Sequence, residues 1–165
     1  MLKVASYDTV FQEIPGEVTL ALNLSNCPCH CPGCHSKHLW EDIGEPLDEE
    51  LLDGLIGKYT GLITCVCFMG GDAEPEEVAR LAAHIHCTPY TVHRTPLKTA
   101  WYSGRPATPE TFHFPLSTFN YVKFGPYIES LGGLKSEKTN QRLYQRKDDT
   151  WIDITSSFWK KNLAD

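Results

Sequence analysis

The chain has 165 residues, with 15 lysines and arginines against 21 aspartates and glutamates, a formal net charge of −6 and a sequence pI near 5.6. That length suits a single domain over residues 1–165, long enough to bury a core without covalent staples. The acidic balance and scattered basic residues argue against a nucleic-acid surface, and no stretch approaches the ~18 consecutive apolar residues of a membrane span. Seven cysteines, an odd number, with no apolar secretory leader, favour reduced thiols in a cytoplasmic protein over a disulfide framework.

Val18, Leu20, Leu22 and Leu24 alternate with Thr19, Ala21, Asn23 and Ser25, which is strand periodicity. The strand runs directly into Asn26-Cys27-Pro28-Cys29-His30-Cys31-Pro32-Gly33-Cys34-His35. A helix is expected from Asp48, a good N-cap, with Leu47 and Leu52 as a hydrophobic staple and Leu51, Leu55, Ile56 and Tyr59 on the same apolar face. The run from Ile63 to Met69 is short and apolar, which suits a strand buried on both faces, and it stops at Gly70-Gly71-Asp72. A second helix opens at Pro75, with Glu76 and Glu77 in the first turn, where acids suit the helix dipole. Lys98 to Ser103 and Phe119 to Phe124 read as further strands, and Arg142 to Arg146 and Trp151 to Ile154 flank Lys147-Asp148-Asp149 as a hairpin. Strand, helix, strand, helix is the rhythm of parallel α/β architecture, in which ligands gather at the C-terminal ends of the strands. The cysteine loop and the Gly-Gly-Asp turn both fall at such ends.

Cys27, Cys31 and Cys34 are spaced Cys-x3-Cys-x2-Cys, with two prolines and a glycine curling the backbone between them. Three thiolates on one tight loop can hold three irons of a 4Fe–4S cube and leave the fourth iron open for chemistry. A structural zinc site is the bland alternative, completed by His30, His35 or His38, although no second Cys-x2-Cys follows. Cys29 is the spare member of the loop. Cys65 and Cys67 lie two apart and so share a strand face, and Cys87 follows a helix; all three suit the role of small hydrophobes. His84 and His86, two apart on a helix, cannot share a face, and with His93 and His113 they are given no role.

The cysteine spacing resembles the cluster motif of radical S-adenosylmethionine enzymes. Further stretches carry a narrower resemblance: Cys67-Phe68-Met69-Gly70-Gly71-Asp72, Trp101-Tyr102-Ser103-Gly104, Phe124-Gly125-Pro126-Tyr127, Gly132-Gly133-Leu134 and Thr139-Asn140-Gln141-Arg142. Together these look like the activating component of anaerobic ribonucleotide reductase, a small glycyl-radical activase. The resemblance implies a compact partial (β/α) barrel of mainly parallel strands with a C-terminal hairpin. It implies that Cys27, Cys31 and Cys34 ligate one 4Fe–4S cluster, since no ferredoxin-like segment with extra cysteines is present. It also implies S-adenosylmethionine as cofactor, its methionine amino group held by Gly70, Gly71 and Asp72, with Gly33, His35 and Ser103 among the remaining contacts. Gly33 stands where an aromatic often precedes the last cluster cysteine, and Asp72 where a glutamate is common; the ring of His35 is placed to substitute for the former.

The activity implied is reductive cleavage of S-adenosylmethionine and formation of a glycyl radical on the large subunit of an anaerobic ribonucleotide reductase. An electron donor such as a flavodoxin would feed it, and no general base is required. Two other readings stand beside it: a small radical S-adenosylmethionine enzyme acting on a small molecule, such as a deazaguanine-pathway synthase, and a non-catalytic metal-binding interaction module.

Overall fold

In the computed structural model, which describes residues 1–88 and 96–159, eight strands join one sheet. They are β1 (Lys3–Val10), β2 (Thr19–Leu24), β3 (Glu45–Pro46), β4 (Cys65–Met69), β5 (Lys98–Tyr102), β6 (Tyr121–Phe124), β7 (Arg142–Lys147) and β8 (Thr150–Asp153). Two α-helices accompany them, α1 (Glu49–Lys58) and α2 (Pro75–Cys87). The strand order is β3-β1-β2-β4-β5-β6-β7-β8. Among the described residues no helix is long and apolar enough to cross a membrane.

The expected elements form where the pattern placed them. Asp48 caps α1, its carboxylate accepting the Leu51 N–H at 2.8 Å, and Leu47 and Leu52 are both buried beside it. Pro75 sits in the first turn of α2, and Arg80 ties the two helices by pairing with Glu77 of its own helix and Glu49 of α1. Cys87 ends α2 rather than following it, and its side chain is exposed, so the small-hydrophobe role fails there. His93 lies outside the described residues.

The expectation of mainly parallel strands needs correction: the fold is a mixed α/β sheet. Parallel pairing is confined to β2, β4, β5 and β6, while β1–β2, β1–β3, β6–β7 and β7–β8 are antiparallel. Parallel neighbours need a crossover, supplied by α1 between β2 and β4 and by α2 between β4 and β5, whereas a short connection folds the chain straight back. The β7–β8 turn is of that kind, with Asp148 and Asp149 both left-handed at φ 49° and 65°, which matches the twist of a two-residue hairpin.

The alternation of side chains divides the sheet into two faces. Leu20, Leu22, Val66, Phe68, Trp101 and Phe124 meet the helices, where Leu52, Ile56, Val78 and Leu81 complete the larger core. Cys65, Cys67, Ala100, Tyr121 and Leu143 point the other way, and Ile14 and the partly buried Ile154 and Phe158 cover them. Cys65 and Cys67 therefore share a buried face, where burial pushes both thiols well above the ordinary range. At roughly 25 cal/mol per Å² of apolar area removed from water, the helix-facing layer is the main source of stability.

Candidate functional site

The four parallel strands end on one rim. The cysteine loop leaves β2, Gly70-Gly71-Asp72 leaves β4, Ser103-Gly104-Arg105 leaves β5 and Gly125-Pro126-Tyr127 leaves β6. The loop owes its tight curl to three left-handed residues, Asn26 at φ 59°, His30 at φ 44° and Gly33 at φ 79°. Asparagine and histidine tolerate that region better than most side chains. Backbone bonds from Asn26 N to Glu41 O and from Cys27 N to Leu39 O brace the loop from behind, and the His30 ring stacks on Trp40 with centroids 4.5 Å apart. Cys27, Cys29, Cys31 and Cys34 are all free and half-buried.

The thiols are not equivalent. The Cys27 thiol is lowered to about 6, chiefly because the Cys29 thiol hydrogen-bonds to it, while the same contact and burial push Cys29 far up. Cys34 Sγ accepts the Ser36 N–H at 3.3 Å, the contact a thiolate ligand commonly receives. Cys29 Sγ instead lies 3.7 Å from Asp72 Oδ2. The loop thus contains one thiol turned to Asp72 and three in the expected triplet. Among the described residues no three histidine, cysteine or acidic side chains converge where a single metal ion would sit. One zinc needs such convergence; a cube, whose thiolates each meet a different iron, does not.

Asp72 is the hub of the rim. Its side chain is almost fully buried, Oδ1 accepts the Ser103 hydroxyl, and Oδ2 accepts the Gly104 N–H at 2.9 Å. Arg105 donates to the Asp72 backbone carbonyl at 2.5 Å and approaches its carboxylate at 3.8 Å. A Cβ added to Gly104 would lie 2.9 Å from Cys29 Sγ, so the glycine lets the cysteine loop sit against β5. The glycines of the β4 turn face elsewhere. A Cβ on Gly71, at φ 84°, would meet Val78 Cγ2 at 2.6 Å and Leu24 Cδ1 at 3.0 Å, both core atoms. Gly70 is left-handed, and its carbonyl accepts the Trp101 indole N–H at 2.7 Å.

A cavity of about 580 Å³ opens beside this hub, on the sheet face away from the helices. Met69, Tyr102 and Lys123, from the ends of β4, β5 and β6, line it together with His35, Tyr127 and Gln141. Of the six residues expected to contact a cofactor, His35 alone reaches this cavity; its ring packs on Tyr127 at 5.5 Å. Gly33 sits under Glu129, and Gly70, Gly71, Asp72 and Ser103 form the supporting layer. Lys123, Tyr102 and Met69 were not among the expected site residues. Their signal was the inward parity of each strand, which needs the register to be read.

Residues 15–101 match the family model described as a 4Fe-4S single cluster domain, just over half of the chain. The chain belongs to that family. A 4Fe–4S cluster is accordingly the cofactor it carries, and the matched span takes in β2, the cysteine loop, α1, β4, the Gly-Gly-Asp turn and α2. Comparison with curated proteins and with solved structures gives no match. The cysteine loop of this single-cluster protein fits its group, with three half-buried free thiols of the expected triplet on one braced turn.

Proposed function

We propose that this 4Fe–4S protein is a radical S-adenosylmethionine enzyme that makes a glycyl radical on the large subunit of an anaerobic ribonucleotide reductase. The observation that carries the reading is shared placement. The three-cysteine loop, the Gly-Gly-Asp turn and a cavity within the size range of cofactor sites all stand at the C-terminal ends of the parallel strands. In this reading Cys27, Cys31 and Cys34 are the ligands, and the parallel strands β2, β4, β5 and β6 are the surviving part of a barrel. Held by those three thiolates, a cluster would pass one electron from a donor such as reduced flavodoxin to S-adenosylmethionine, whose sulfonium C–S bond would split into methionine and a deoxyadenosyl radical able to take a hydrogen atom from the target glycine.

The chain's own residues position and shield. His35 and Tyr127 offer ring faces, Met69 and Tyr102 an apolar floor, and Gln141 and Lys123 polar ends, which suits a ligand with a nucleoside at one end and charged groups at the other. Asp72 serves the ligand by holding Ser103, Gly104 and Cys29 in place, so the turn shapes the rim and does not present a free acceptor. Cytoplasmic residence belongs to the same proposal. The test mixes the reconstituted, reduced protein with S-adenosylmethionine and the cognate reductase without oxygen and records the electron paramagnetic resonance spectrum. A glycyl doublet that requires all three components is expected. Cofactor cleavage with no doublet on a folded reductase would move the assignment to a small-molecule substrate, and a cluster that never cleaves the cofactor would overturn the enzyme reading.

A further inference from the structure

Lys123 is the only lysine or arginine buried among the described residues, it lines the cavity at the strand ends, and cluster ligation does not use it. Its ammonium donates to the Ser103 carbonyl at 3.2 Å and the Gly125 carbonyl at 2.9 Å, and it lies 5.9 Å from the centre of the Tyr102 ring. These partners are neutral dipoles and a ring face. They solvate the charge without cancelling it. Among the described residues no carboxylate pairs with it, and the carboxylate of Asp72 is already engaged by Ser103, Gly104 and Arg105.

Burial lowers Lys123 to about 8, which still leaves it protonated at neutral pH. The groups that act on it from that side, Asp72 first and then Cys31, Cys29 and Cys27, all favour its charged form. The intervening turn is thin: Ser103 accepts from Lys123, and the adjacent Gly104 lies against Cys29. An unneutralised buried cation therefore stands one turn behind the cysteine loop. A charge in that position acts more strongly than one in water, because little solvent screens it.

We propose that Lys123 is a positioning cation for electron entry, whose charge stabilises the cluster's reduced state and raises its reduction potential. The step is a one-electron transfer from a low-potential donor to the cluster: the donor is oxidised by one electron, the cluster gains one negative charge, and no bond or proton moves. Net local charge is one of the levers that set iron–sulfur potentials. This inference rests on the cysteine ligation given above, and it stands apart from whether S-adenosylmethionine is the substrate.

The test is an anaerobic potentiometric titration of the reconstituted full chain, followed by the reduced cluster's electron paramagnetic resonance signal. Lys123→Gln keeps an N–H donor for the two carbonyls and removes the charge; Lys123→Met removes both; Lys123→Arg keeps the charge. Lys58→Met, on an exposed lysine whose neighbours are Tyr7, Tyr59 and Glu45, is the control. The midpoint should move to more negative potential in the Gln and Met variants and stay near wild type in the Arg and control variants. A wild-type midpoint in Lys123→Gln, at equal cluster content, would overturn the proposal and leave Lys123 as a tie between two loops. Release of 5′-deoxyadenosine by the wild type is measured in parallel. Its absence from a protein with an intact cluster would sink the radical reading while the potential shift still judged Lys123.

Discussion

Asp72→Ala should unfold the rim of the apoprotein as well as impair any ligand. A buried donor, the Ser103 hydroxyl, and a half-buried one, the Gly104 N–H, lose their acceptor, and Cys29 loses its neighbour. Each buried donor left unpaired costs about 1–3 kcal/mol, so the substitution should cost roughly 4 kcal/mol. The Arg105 contact adds little, because that side chain is about two-fifths exposed at 40% and its attraction is screened by solvent. With a urea slope of about 2 kcal/mol per molar, the unfolding midpoint should fall by roughly 2 M. The assay is urea unfolding of the metal-free protein under reducing, oxygen-free conditions, followed by far-ultraviolet circular dichroism. Asp72→Asn keeps one oxygen for Ser103 but turns an N–H toward another donor, and should fall between the two. An acceptor reserved for a ligand ammonium predicts something different: an unchanged midpoint and cofactor binding weakened by roughly 10- to 100-fold. An Asp72→Ala unfolding free energy within about 0.5 kcal/mol of wild type would refute the hub role.

Serine at Cys27, Cys31 or Cys34 should abolish iron binding after anaerobic reconstitution, while Cys29→Ser should retain it; iron and sulfide analysis checks this, and a Cys29 variant without cluster would reverse the assignment. Gly71→Ala forces a Cβ into Val78 and Leu24 at a left-handed φ, so it should lower stability by about 2–4 kcal/mol in thermal or urea unfolding of the apoprotein. Trp101→Phe removes the indole N–H that serves the Gly70 carbonyl and should cost about 1–3 kcal/mol by the same measurement. The folded state lowers Lys123 from 10.5 to about 8, so its charged form is disfavoured on folding. That penalty is full below pH 8 and fades as pH rises to 10.5, so the stability of wild type relative to Lys123→Met should climb across that window by about 3 kcal/mol. A flat difference between the two proteins over the same pH range would show that the ammonium is not penalised by burial.

Local chemistry was legible wherever a residue type has one strong structural use. Asp48 before an apolar-periodic run, Pro75 followed by Glu76 and Glu77, and the alternating leucines of β2 each specified an element from neighbours alone. β1 escaped because Val4 is almost its only buried side chain; most of its residues face solvent or are half-covered, so they show no clear apolar alternation. β3 escaped because two residues carry no period at all. The direction of the flanking strands was also hidden, since hydrophobic pattern is the same for either direction and only the connections distinguish them. Cys87 shows the limit of composition: its type suggests burial, but its place at the end of α2 leaves it exposed.

The candidate site was legible by half, and the dividing line is the register of the sheet. The cysteine triplet is a spacing within one loop, so it needs no partner strand to be seen. The Gly-Gly-Asp turn was visible as a turn, but its purpose depends on what lies behind each α-carbon: core side chains at Gly71, and the Cys29 loop across β5 at Gly104. The cavity wall is the clearest case. Met69, Tyr102 and Lys123 come from three strands that share no local motif, and they meet because Met69 pairs with Tyr102 and Tyr102 with Lys123 in the parallel ladder. Once that register is fixed, each faces away from the helices, and their neighbours Phe68, Trp101 and Phe124 must face the core. A lysine in a short apolar strand reads as an anomaly in sequence. In the sheet it stands at the rim, where its long side chain turns its charge toward the backbone carbonyls of two strand-end loops.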